Sequence, residues 1–124
     1  MLPAGSRLHT SQEFATVVRS GRRAGTRHLV VHLLHTEGRD APRVGFVVSA
    51  KVGNAVVRHR VTRRLRPLMR DELDRLAPGT DVVVRALPAA ACASGADLAA
   101  DLRTGLVAAE RKSRAALMHA GGRP

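Results

Sequence analysis

Apolar positions along the chain follow two periods, one helical and one alternating. In "HTSQEFATVVRSG", Phe14, Val17 and Val18 fall on one helical face. Thr10 and Glu13 have the spacing of a capping box, and Gly21 is a natural stop, so a short first helix is predicted. "RHLVVHLLHT", from about Arg27 to Thr36, is rich in β-branched and apolar residues and predicts a strand. "EGRDAP" reads as a loop. "RVGFVVS" predicts a second strand, antiparallel to the first because the connection is short. Val57, Val61, Leu65, Leu68 and Met69 then recur at helical spacing. Asn54 is a good N-cap for that helix, Gly53 lets the chain turn into it, and Pro67 should kink it on its way to about Leu76. "APGT" is a turn, "DVVVRAL" a third strand and "PAAACASGA" a loose connection. A last helix begins near Ser94 and Asp97, with Leu98, Leu102 and Leu106 on one face. Arg111, Lys112 and Arg114 suit its C-terminal dipole, and about 119–124 read as a frayed tail. The order α-β-β-α-β-α makes residues 1–124 one α+β domain, a two-layer α-β sandwich with helices on a small mixed sheet.

Charge changes this picture. The formal net charge is +11, and all of it lies in residues 1–70, which hold 14 basic and 3 acidic groups; residues 71–124 hold 7 of each. Seven of the twenty residues from Lys51 to Arg70 are Lys or Arg, and none is acidic. A one-sided excess of this kind suggests a polyanion partner. Hydrophobic residues make up 44%, enough for a core, so wholesale disorder is excluded. The one cysteine, Cys92, permits no internal disulfide and fits a reducing compartment. Met1 to Thr10 lack the apolar run of a signal peptide, and no stretch approaches the roughly 18 apolar residues of a membrane span. A cytoplasmic location without membrane contact is expected.

Enzymatic chemistry finds little support. Six histidines, at 9, 28, 32, 35, 59 and 119, come without metal-ligand spacing, and "KVGNAVVR" lacks the second glycine and the Lys-Ser/Thr of a phosphate-binding loop. Asp71, Glu72 and Asp74 could supply a hydrolytic carboxylate pair, but a solvated polar helix face is by far the better reading of them. The helix from Asn54 is the strongest feature. Its arginines, Arg60, Arg63, Arg64, Arg66 and Arg70, lie on the arc opposite the apolar stripe. Phosphates relieve their mutual repulsion and release counterions on binding. The Gly53–Asn54 entrance turns free backbone N–H groups outward as a second anion site. A helix-turn-helix DNA reader needs a helix just before this one, whereas a strand precedes it, so no DNA partner is expected. Phe14 and Phe46 are the only aromatics, which favours backbone and shape recognition of a folded RNA over base stacking. Composition alone also allows a small ribosomal or other structured-RNA-binding protein.

"RVGFVVSAKVGNAVVRHRVTRRLR" closely resembles the signature of the bacterial ribonuclease P protein subunit, a strand ending V-G-x-x-V-S-K-K followed by G-N-A-V-x-R-N-R-x-K-R. The early "EFATVVRSG" is similar to that family's first helix, and length, charge and element order agree. The resemblance implies a non-catalytic accessory protein. In this family the RNA subunit removes the 5′ leader of precursor tRNA with Mg²⁺, and the protein binds that RNA and the leader without firmly holding a metal of its own. It also implies a left-handed β-α-β crossover of the ribosomal S5 domain 2-like fold, which the usual right-handed rule does not give. Lys51, Gly53, Asn54, Arg58, Arg60 and Arg63 match the motif. His59 stands where the motif has Asn, and Arg64 and Arg66 extend the same basic run. Ala50 and Thr62 replace usual lysines. Phe14 matches an aromatic position of the leader cleft, while Val18 and His32 occupy two further positions that are often aromatic.

Overall fold

The computed structural model describes residues 4–38 and 41–121. Its elements are α1 (Ser11–Ser20), β1 (Arg22–Gly25), β2 (Leu29–His35), β3 (Arg43–Val47), α2 (Ala55–Leu73), β4 (Thr80–Ala86) and α3 (Gly95–Gly121). Short 3₁₀ turns lie at Ala4–Ser6 and Pro88–Cys92. The sheet has the order β1-β2-β4-β3; β2 is antiparallel to both neighbours and β3 is parallel to β4.

Two expectations about the strands need correction. The described residues form four strands instead of three: "RRAG" carries no alternating apolar signal, and only Ala24 in it is buried, yet it pairs with β2 from Arg22↔Leu33 to Gly25↔Val30. Nor does β3 lie beside β2. It runs antiparallel to β2 in direction, but β4 is inserted between them. The central place goes to β4 because Thr80 to Val84 are all buried and the strand needs cover on both faces. The β3–α2–β4 unit is therefore a crossover between parallel neighbours, with the basic helix as its connection.

Alternation along the strands sorts the core. Val82 and Val84 face α2 and α3, whose Leu65, Met69, Leu98, Leu102 and Leu106 are fully buried against that side. Val83 faces the other way, where α1 packs through Val17, together with Leu8. The α-β sandwich is thus as expected, with α1 added on the opposite face of the sheet. The ring of Phe14 on α1 packs against β3 at Gly45. A β-carbon there would collide with the Phe14 ring, so the strand must be bare at this point.

The helix ends follow their caps. The capping box of α1 is complete: Thr10 Oγ1 accepts from the Glu13 N–H at 3.1 Å, and Glu13 Oε1 accepts from the Thr10 N–H at 2.9 Å. Asn54 caps α2, its Oδ1 accepting from the Val57 N–H at 3.0 Å. The helix continues through Pro67, which cannot donate to the Arg63 carbonyl. It stops at Leu73, three residues short of expectation. There the Arg75 and Leu76 N–H groups turn to the tighter i−3 carbonyls of Glu72 and Leu73. Ser94 Oγ accepts from the Asp97 N–H at 3.0 Å at the start of α3. That helix runs on to Gly121, beyond the point where a tail was expected; residues 122–124 lie outside the described residues, as do 39–40 of the "EGRDAP" loop. Asn54→Ala should lower stability by about 1 kcal/mol through loss of the cap, measurable by urea unfolding.

Candidate nucleic-acid interface

The buried stripe of α2, Val61, Leu65 and Met69, fixes which side of the helix meets solvent. His59, Arg63, Arg64, Arg66 and Arg70 are exposed, and Lys51 and Asn54 sit exposed at its entrance. Among the described residues, no basic side chain from Lys51 to Arg70 has a carboxylate partner.

Three of the arginines are not simply solvated. Arg58 Nε donates to the Val48 carbonyl at 2.9 Å, Arg60 Nη2 to the Ala91 carbonyl at 3.2 Å, and Arg64 Nη1 to the Ala93 carbonyl at 3.1 Å. Carbonyl oxygens are neutral, so these bonds aim the guanidiniums without cancelling their charge. They also tie α2 to the end of β3 and to the Pro88–Cys92 turn. No sequence pattern announces them, because the acceptors are backbone atoms of alanine and valine. Gly53 is required beside the cap: a β-carbon there would come within 2.8 Å of the Val57 side chain. Ala55, Val56, His59, Arg60 and Arg63 surround a surface hollow of about 410 Å³, and Val56 is 74% exposed on it. The Thr62 hydroxyl donates back to the Arg58 carbonyl of its own helix at 3.1 Å.

Phe14, Val18 and His32, the residues expected to line a cleft, all lie on the α1 side of the sheet, in different settings. Phe14 is half-buried over Gly45 and borders a hollow of about 270 Å³ shared with Arg7, His9, Phe46, Thr62 and Arg66. The aromatic ring and the arginine helix therefore open onto one space. Val18 is 44% exposed beside the buried Val17, on which α1 rests. His32 is 3% exposed, and both of its ring nitrogens lack a hydrogen-bond partner. Burial, reinforced by the charges of Arg85 and Arg23, holds its pKa below the ordinary histidine value.

One network was invisible in the sequence. Arg43 donates from Nε and Nη2 to the two oxygens of Asp81, each at 3.0 Å, and from Nη1 to Glu13 Oε2 at 2.7 Å. It joins β3, β4 and the first turn of α1, one residue from Phe14. The acidic trio of α2 is divided. Glu72 is buried and paired with Arg103 at 3.1 Å and Arg75 at 3.3 Å, while Asp71 and Asp74 are exposed. Among the described residues, no group of three or more His, Cys, Asp or Glu is placed to hold a metal ion. No helix among them is long and apolar enough to cross a membrane.

Comparison with known proteins gives a consistent result. Residues 2–110 match the family model described as Ribonuclease P. A ribonuclease P protein component of Streptomyces avermitilis is 55% identical over 114 residues, covering 86% of this chain and 93% of the relative. One from Rhodococcus erythropolis is 51% identical over 113 residues, covering 86% of this chain and 90% of the relative. Among solved structures, a Staphylococcus aureus RNase P protein superposes with a TM-score of 0.76 at 25% identity, covering 84% of this chain and 94% of that one. The RNase P protein of Thermotoga maritima, at 24% identity and a TM-score of 0.70, shares the fold.

Proposed function

The chain belongs to the ribonuclease P protein family, components of the ribonucleoprotein nuclease that processes tRNA, and on that premise we propose that it acts as a non-catalytic subunit. It binds the catalytic RNA with the arginine face of α2 and the 5′ leader of precursor tRNA with the α1 side of the sheet. The reading rests on one observation above all: an arginine face without a carboxylate partner among the described residues, on a helix that the chain's own carbonyls hold in position. RNA phosphates supply the missing counter-charge. The Mg²⁺ of the reaction belongs to the RNA subunit in this scheme, and the chemistry is the RNA's. Cytoplasmic action follows from the location of tRNA processing in bacteria.

Reconstitution tests it. Added to a bacterial ribonuclease P RNA at low Mg²⁺, the protein should stimulate leader removal, and the protein alone, freed of RNA by nuclease treatment, should cleave nothing. Cleavage by the nuclease-treated protein would mean that the chain carries its own active site. Phe14→Ala separates leader binding from the rest. It should weaken binding of precursor tRNA more than of mature tRNA, by about 1–3 kcal/mol if a leader base stacks on the ring. The ring is half-buried, so some stability is lost as well. Equal losses for both tRNAs would assign Phe14 to packing alone.

A further inference from the structure

α3 lies along the outer hairpin of the sheet, and three contacts fix its register there. In its second turn, Asp101 Oδ2 accepts from the His28 N–H at 3.0 Å and meets His28 Nδ1 at 2.7 Å. One turn on, Gly105 lets the helix close on β2, since a β-carbon there would come within 2.7 Å of the Val31 side chain. About three turns after Asp101, Lys112 Nζ donates to the Arg23 carbonyl at 2.6 Å. That last contact ties a cation to the edge strand β1. Arg22 opens the strand, on the same side of the sheet as Ala24, which is buried with the α3 leucines. Arg111 precedes Lys112 on the helix. Arg22, Arg111 and Lys112 are all exposed, and among the described residues none has a carboxylate partner. The acidic groups of α3 are placed elsewhere. Asp101 is taken by His28, Asp97 is in the first turn, and Glu110 borders a hollow with Arg75 and Arg114 at the α2–β4 connection.

Lys112 repeats what Arg58, Arg60 and Arg64 do on α2: a backbone carbonyl holds the cation in place and leaves its charge uncancelled. α2 and α3 pack side by side over one face of the sheet, whereas α1 and the leader surface proposed above lie on the other. The cations of the β1–α3 edge therefore belong to the layer that carries the arginine helix. Three cations gathered without a counter-charge fit a polyanion, and the polyanion assigned to this layer is the catalytic RNA. We propose that Arg22, Arg111 and Lys112 form a second RNA interface, which holds backbone phosphates of a helical segment of the catalytic RNA separate from the segment bound by α2. The inference rests on the α2 reading above and extends it. With basic surfaces on α2 and at the far edge of the neighbouring α3, the protein joins two segments of one RNA. Contacts of this kind position the backbone and read no base.

The test uses the reconstituted complex of RNA subunit, protein and mature tRNA, probed with hydroxyl radicals. The wild-type protein should protect two separated stretches of the RNA subunit's backbone. Alanine at Arg63, Arg66 and Arg70 should uncover one of them. Arg22→Gln combined with Arg111→Gln should uncover the other and leave the first protected. Both arginines are exposed, so the double variant should unfold at the wild-type urea midpoint. Its affinity for the RNA subunit should fall about a hundredfold, for two charge-assisted contacts. The log–log salt slope should fall by about 1.8, at roughly 0.9 per phosphate if the RNA helix behaves like duplex DNA. Lys112→Arg keeps the charge and should keep the second protected stretch. An unchanged slope and footprint in the double variant, or loss of both stretches together, would overturn the second interface. Protection lost from the tRNA in place of the RNA subunit would overturn it as well. Failure of the wild-type protein to protect the RNA subunit at all would instead overturn the α2 reading, and that is measured first.

Discussion

Alanine at Arg63, Arg66 and Arg70 together is expected to weaken binding to ribonuclease P RNA by about a thousandfold while leaving the fold intact. All three side chains are exposed and make no hydrogen bond or ion pair among the described residues, so their removal costs little in the free protein. Each lost charge-assisted contact to phosphate is worth about 1.5 kcal/mol or more, and three give the expected factor. The log–log salt slope should drop by about 2.7, at roughly 0.9 per phosphate of a helical RNA if it behaves like duplex DNA. Arg58, Arg60 and Arg64 form the contrasting set. Alanine at any of them leaves a backbone carbonyl of Val48, Ala91 or Ala93 without its donor. Those variants should lose RNA affinity and also about 1–3 kcal/mol of stability. Filter binding across salt, together with urea unfolding of each variant, separates the two sets. Unchanged salt slopes in the triple variant would show that this face of α2 does not meet RNA.

That division shows what the sequence could and could not reveal. The amphipathic stripe of α2, the caps at Thr10 and Asn54 and the motif running into them are local patterns, and local patterns are written in consecutive residues. Strand partners are not. The "RRAG" strand forms because the main chain of β2 is there to pair with it, and nothing in two arginines, an alanine and a glycine records that. The insertion of β4 between β2 and β3 depends on the whole crossover. The site residues divide the same way. The arginines of α2 were legible as a charged arc, but their carbonyl partners lie 10 to 31 residues away and belong to residues with no polar side chain. Arg43, Glu13 and Asp81 are far apart in sequence and carry no motif, yet they connect the first helix to the sheet.

Arg43 should therefore be the costliest single charge to remove. Asp81 is only 7% exposed, and Arg43 meets both of its oxygens. Arg43→Met takes from that buried carboxylate the bidentate cation that meets both of its oxygens, which should destabilise the protein by about 3–5 kcal/mol. The double variant Arg43→Met with Asp81→Leu removes both charges and should recover a large part of that loss, because burying the carboxylate without Arg43 carries a desolvation cost. A double variant no better than Arg43→Met would mean that the pair contributes through its geometry and not through desolvation. The second carboxylate supplies a pH signature. The N–H groups of Thr10 and His9, and then Arg43, bring the pKa of Glu13 from 4.5 to about 2, against the opposing effect of burial. A carboxylate with a depressed folded-state pKa stabilises fully above its unfolded value. That contribution is lost as pH falls from about 4.5 toward about 2. In Arg43→Met the acid loss attributable to Glu13 should shrink but persist, since the two backbone donors remain. Glu13→Gln should remove it and loosen the first turn of α1, moving Phe14 on Gly45. Unfolding midpoints of the three variants between about pH 2 and pH 7 decide the matter. An unaltered acid limb in Glu13→Gln would show that this carboxylate does not couple the first helix to the sheet.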